Sequence, residues 1–142
     1  MAAETHASAV PPEAHVPIEH ETDIVTARQK GRELAARTGL SATEQTLIAT
    51  AISEVARNIV VYAHHGEVVL AIIVQQGRRG VLGVARDEGP GIANPDLAMR
   101  DGYSTSRSLG MGLPGARRLM DEFELSSIVG KGTTITMTKW VR

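Results

Sequence analysis

With 142 residues, 42% of them apolar, the chain is long enough for one globular domain and too short for two, and it is neither disordered nor fibrous in composition. Fifteen basic against sixteen acidic residues give a net charge of −1, which argues against nucleic-acid or membrane partners. There is no cysteine, so disulfide scaffolds, thiolate metal sites and cysteine nucleophiles are excluded; the longest apolar stretch, 68–74, is too short to cross a bilayer.

Residues 1–20 are rich in Ala, Pro, His and Glu without periodicity, and read as a flexible tail preceding one domain over 21–142. No basic region followed by an apolar core opens the chain, so the expected address is the cytoplasm. A short strand is predicted around 18–25. Helical composition follows over 26–37, with Ala27, Leu34 and Ala35 for a buried side and Gly39 as its stop.

The next helix is the best signalled element. Ser41 followed three residues later by Glu44 makes a capping box, and Leu47, Ile48, Ala51, Ile52, Val55, Ile59 and Val60 recur at helical spacing. Two β-branched runs, 67–76 and 80–86, flank Gly77-Arg78-Arg79-Gly80 and predict a hairpin. A short helix is expected over 95–99 with Asn94 as cap, then a polar loop over 101–109, then a helix from Pro114 to about Asp121. Strands over 123–129 and 133–141 close the chain around Gly130-Lys131-Gly132. The order β-α-α-β-β-α-α-β-β predicts an α+β, two-layer α/β sandwich, a mixed, mainly antiparallel sheet with helices on one face.

Four constellations carry chemistry. Glu54 and Asn58, four apart, share one helix side at the margin of the apolar face. An amide oxygen suits Mg²⁺ and a carboxylate beside it can act as a base, although two ordinary polar residues on a helix margin would look the same. Asp87-Glu88-Gly89-Pro90-Gly91 ends a strand: the carboxylate can accept a hydrogen bond from an exocyclic amine, and the glycines admit a flat ligand. Alone, it reads equally well as a Gly-Pro turn with a solvated Asp.

Gly110-Met111-Gly112-Leu113-Pro114-Gly115 matches GxGxxG, yet the preceding strand and the later acidic residue of a dinucleotide fold are both missing. The run still opens a helix, whose N-terminal N–H groups can meet phosphate. Gly130-Lys131-Gly132-Thr133 is no Walker loop. Arg107, in the polar loop, can reach a phosphate oxygen or simply be solvated. His64-His65 lacks a third ligand at suitable spacing and reads as helix capping; Arg117 and Arg118 read as solvated or partner-facing, and Trp140 as a packing residue.

Taken in order, Glu54…Asn58, Asp87-x-Gly-x-Gly91, the glycine run and Gly132-Thr133-Thr134 resemble the motifs of the Bergerat ATP-binding fold. Residues 53–63 (SEVARNIVVYA), 87–92 (DEGPGI), 101–123 (DGYSTSRSLGMGLPGARRLMDEF) and 129–140 (VGKGTTITMTKW) resemble more narrowly the RsbT-type serine/threonine kinases that switch bacterial stressosomes. The likeness runs from about residue 18 to the end, with Met111 where leucine is usual.

The resemblance implies that Asn58 holds Mg²⁺, that Asp87 reads the adenine amine, and that Gly89 and Gly91 line the base with Thr133 or Thr134 nearby. It implies that Gly110, Gly112 and Gly115 shape the phosphate loop and that Glu54 orients or deprotonates an acceptor hydroxyl. It further implies phosphorylation of STAS-domain proteins and, on release, activation of a PP2C-type phosphatase. Two other classes share the fold. An anti-sigma factor would sequester a sigma subunit, against which the 101–115 loop speaks. A histidine kinase would need a dimerisation helix pair that the residues before the first strand do not supply.

Overall fold

The computed structural model describes residues 12–99 and 112–142; most of the expected tail, the loop over 101–109, Arg107 and Gly110 lie outside them. In chain order the elements are β1 (Ala14–Ile18), α1 (Glu21–Thr38), α2 (Ala42–Asn58) running into a π-helical turn (Ile59–Ala63), β2 (Gly66–Gln75) and β3 (Arg78–Asp87). Then come α3 (Pro95–Ala98), α4 (Gly112–Leu119), β4 (Glu122–Ile128) and β5 (Gly132–Trp140). The succession of strands and helices is the expected one.

The first two boundaries differ from the expectation. The strand lies at 14–18 rather than 18–25, so residues 14–20 belong to the domain and not to a tail. Val16 and Ile18 point inward while His15 and Pro17 point out, a half-buried edge strand in which the proline costs no internal ladder bond. Ile24 and Val25, β-branched, invite a strand reading. They are helical because Ile24, Ala27, Gly31, Leu34, Ala35 and Thr38 all bury along one helix face. Asp23 starts that helix by accepting the backbone N–H groups of Glu19 and His20, each at 2.9 Å, and these bonds hold its carboxyl below the usual carboxylate range. Gly39, at φ 109°, ends it with its N–H on Ala35 and Ala36 carbonyls.

The β2–β3 turn is also tighter than expected. Gln75 pairs directly with Arg78, leaving only Gln76 and Gly77, both at positive φ (53° and 79°), the requirement of a type I′ hairpin.

Among the described residues the strands order as β1-β2-β3-β5-β4 and every neighbouring pair is antiparallel, so the sheet they form is antiparallel rather than mixed. Alternation along the strands sends Val68, Leu70, Val81, Ala85, Ile135 and Met137 to one face, where Ile48, Ile52, Val55 and Ile59 of the α2 segment meet them. A smaller cluster of Ile73, Leu82 and Trp140 occupies the other face, with the Arg78 guanidinium 4.6 Å above the indole. The Ser41–Glu44 capping box opens α2 as expected. The helix 42–63 is long and apolar enough by composition to cross a bilayer, but its apolar side is spent on the sheet.

Candidate functional site

A cavity of about 250 Å³ opens between the end of α2, the π-helical turn, the end of β3, the start of β5 and the N-terminus of α4. Each wall follows from local sequence. The capping box and the apolar face fix α2 against the sheet, and that rotation turns Glu54 and Asn58 to the cavity. Glu54 is only 5% exposed, and its Oε2 takes a hydrogen bond from Arg57 Nη1 at 3.3 Å. A carboxylate withdrawn that far from water needs a charged partner, and Arg57 supplies one at the cavity edge.

Beyond Asn58 the helix widens. The His64 N–H bonds back to the Ile59 carbonyl at 2.7 Å, and His64 then leaves the helix at φ 73°. Capping here is thus a backbone matter, and both imidazoles are exposed. The widened turn sets Val61 and Tyr62 on the cavity rim, both 43% exposed.

Asp87 ends β3 directly across from Thr133 on β5, and both line the cavity. Its Oδ1 already accepts the Gly89 N–H at 2.9 Å, leaving Oδ2 for a ligand. The glycines that follow serve the protein's own backbone. A Cβ on Gly91, at φ 78°, would stand 2.4 Å from the Ile128 carbonyl oxygen, and one on Gly89 would stand 2.6 Å from Ala63 Cβ. The 88–92 loop is docked on the β4–β5 turn, with the Gly130 N–H on the Pro90 carbonyl at 2.8 Å.

Of the expected site residues, the structure brings Glu54, Asn58, Asp87, Gly91, Gly112 and Thr133 to one cavity. Gly89 is adjacent through its bond to Asp87. Gly115 is buried inside α4 and is not a lining residue. Thr134 pairs with Arg86, and strand alternation turns it to the opposite face from Thr133, away from the cavity. Arg117 and Arg118 are exposed, and Trp140 packs as expected with its indole N–H on Glu122 at 2.9 Å. Arg57 and Ser127 had no place in the sequence reading. The available signals were an arginine three residues after the buried Glu54, and a serine opposite Thr133 in a strand pair.

Residues 17–139 match the histidine kinase-like ATPase domain family, and the chain belongs to it. Within that family it is similar to the serine/threonine-protein kinase RsbT of Bacillus subtilis (strain 168), at 49% identity over 86% of this chain and 92% of that one. It is also similar to the anti-sigma F factor of Geobacillus thermodenitrificans (strain NG80-2), at 34% identity over 69% of this chain and 70% of that one. The enzyme class is accordingly that of an ATP-using serine/threonine-protein kinase. Among solved structures, the RsbU and RsbW domains of Rv1364c from Mycobacterium tuberculosis share the fold, with TM-score 0.60 and 23% identity. That match covers 91% of this chain and about a third, 32%, of the other. The Mycobacterial sensor histidine kinase MprB shares it with TM-score 0.54, 15% identity and coverage of 91% and 99%.

Proposed function

We propose that the protein transfers the γ-phosphoryl group of ATP to a serine or threonine of a STAS-domain regulatory protein in a bacterial partner-switching stress pathway. The observation that carries the reading is the convergence of Glu54, Asn58, Asp87 and Thr133 on one cavity, in a chain half identical to a serine/threonine kinase. Asp87 Oδ2 accepts the adenine amine, and the N-terminus of α4, whose Gly112 lines the cavity, meets phosphate.

The acceptor hydroxyl oxygen attacks the γ-phosphorus, the bond to the ADP oxygen breaks, and the hydroxyl proton passes to Glu54. The lining fits Mg²⁺: the Asn58 amide offers a neutral, hard oxygen ligand that would hold the cation at the cavity. When bound, Mg²⁺ supplies charge neutralisation on the phosphates. Arg57 keeps Glu54 oriented on the helix edge nearest the cleft.

On release from its STAS partner, the kinase activates a PP2C-type phosphatase, all within the cytoplasm. The likeness to an anti-sigma factor favours one competing reading, capture of a sigma subunit. Incubation with labelled ATP, Mg²⁺ and the host's STAS-domain proteins should label one of them on Ser or Thr. Capture of a sigma factor without any labelling would overturn the kinase reading.

A further inference from the structure

At the base-binding end of the cavity stands a hydroxyl pair whose second member the reading above leaves idle. Ser127 on β4 faces Thr133 on β5, with Ser127 Oγ 2.8 Å from Thr133 Oγ1 and 3.2 Å from the Gly132 carbonyl oxygen. The same Oγ accepts the Ile92 N–H at 2.7 Å. Ser127 is half-buried and does not line the cavity, whereas Thr133 does.

A hydroxyl owns one proton and two lone pairs, so the pair has two polarities. In the first, Ser127 donates to Gly132 and Thr133 donates to Ser127; Thr133 then shows the cavity only lone pairs. In the second, Ser127 donates to Thr133, and the Thr133 proton is released to the cavity. Beside it Asp87, a carboxylate with Oδ1 already occupied by Gly89, offers only acceptors. The pairing edge of adenine presents a donor, the exocyclic amine, next to an acceptor, ring nitrogen N1. Only the second polarity, an Asp87 acceptor beside a Thr133 donor, complements it.

We infer that Ser127 is a specificity-determining positioning residue: it gives its proton to Thr133, so that Thr133 donates directly to N1 of adenine. It does this from a fixed place because the Ile92 N–H holds its oxygen and ties the loop after Asp87 to β4. Guanine, with an N–H at that ring position and an oxygen facing Asp87, is refused at both atoms. The inference rests on the reading of the cavity as an ATP site.

The test compares ATP with 1-deaza-ATP, in which N1 is replaced by C–H, by calorimetry on the whole chain. Wild type should prefer ATP by roughly 2- to 10-fold, the range for one neutral hydrogen bond. Ser127→Ala should bind ATP more weakly and bring the ratio close to one, while Ser127→Thr, which keeps the hydroxyl, should restore it. Thr133→Val, which leaves Ser127 in place, should also bring the ratio to one if Ser127→Ala fails to fold. A structural role alone would weaken both nucleotides equally in Ser127→Ala and keep the ratio, which overturns the inference. A ratio retained in Thr133→Val overturns it as well. Wild type binding neither nucleotide would sink the ATP reading and this one together; ATP binding with an unmoved ratio sinks only this one.

Discussion

Asp87 and Glu54 are both carboxylates in one cavity, but their surroundings assign them different work. Asp87 is fixed by the Gly89 N–H at the end of β3 and keeps one oxygen for a ligand. Losing a charge-assisted hydrogen bond costs about 1.5–3 kcal/mol, so Asp87→Asn should weaken ATP binding by on the order of 10- to 100-fold. Calorimetry on the folded variant that finds wild-type affinity would remove Asp87 from the base. Glu54 instead sits buried against Arg57, and a positioned base contributes about 10²–10⁴-fold in rate. Glu54→Gln should therefore lose roughly that much phosphotransfer while still binding Mg-ATP; transfer at the wild-type rate would leave catalysis to positioning alone. A third carboxylate, Glu67, works for the sheet. The His15 side chain and then Arg86 bond to it across three strands and hold its carboxyl below the ordinary glutamate value of 4.5. A lowered native value means that the stabilisation is complete above 4.5 and is lost as the pH falls through the native value. In melting curves from about pH 6 down to about pH 3, wild type should lose its advantage over Glu67→Gln. A constant gap would show that the pair adds nothing.

At the scale of elements, β1 carries the most consequential correction. Deleting residues 1–20 as a tail would remove a strand that pairs with β2 and buries Val16 and Ile18. Fully burying an aliphatic side chain is worth about 1.5–3 kcal/mol, so the deletion should cost about 3–6 kcal/mol, whereas deletion through residue 11 keeps every described element. Equal melting temperatures for the two truncations would show that β1 is dispensable. The misplacement has a physical cause. A single edge strand of five residues offers only two inward positions, too few for a period to stand out, while Ile24-Val25 carries β propensity that the α1 packing face overrides. Elements with long periods were legible: α2 through its capping box and repeated apolar positions, the hairpin strands through β-branched runs. The lining of the candidate site was legible where its residues lie in one short segment, as with Glu54 and Asn58 on one helix side. It was not legible where it depends on strand parity and cross-strand partners. Thr133 and Thr134 are indistinguishable in sequence until the register fixes Thr133 opposite Asp87, and Ser127 acquires meaning only through Thr133 and Ile92.

For the molecule as a whole, the cavity is a seam between layers. Glu54 and Asn58 come from the helical layer, Asp87 and Thr133 from the sheet, and Gly112 from the start of α4. A nucleotide bound there touches both layers at once in the native state, and the unfolded chain brings none of these groups together. Binding must then raise stability by mass action, about 2.7 kcal/mol at a nucleotide concentration 100 times the dissociation constant. For a domain of this size that is a melting-temperature rise of roughly 5–10 °C. The two layers contribute separately. Asp87→Asn, on the sheet side, should shrink the rise whether or not Mg²⁺ is present, because the proposed base contact does not involve the metal. Asn58→Ala, on the helix side, should abolish the extra rise that Mg²⁺ adds while leaving the metal-free rise nearly intact. Thermal melts of wild type and both variants, with ATP and with or without Mg²⁺, separate the contributions. If Asn58→Ala keeps the full Mg²⁺-dependent increment, the metal is held elsewhere, and the helical layer meets the nucleotide through some group other than Asn58.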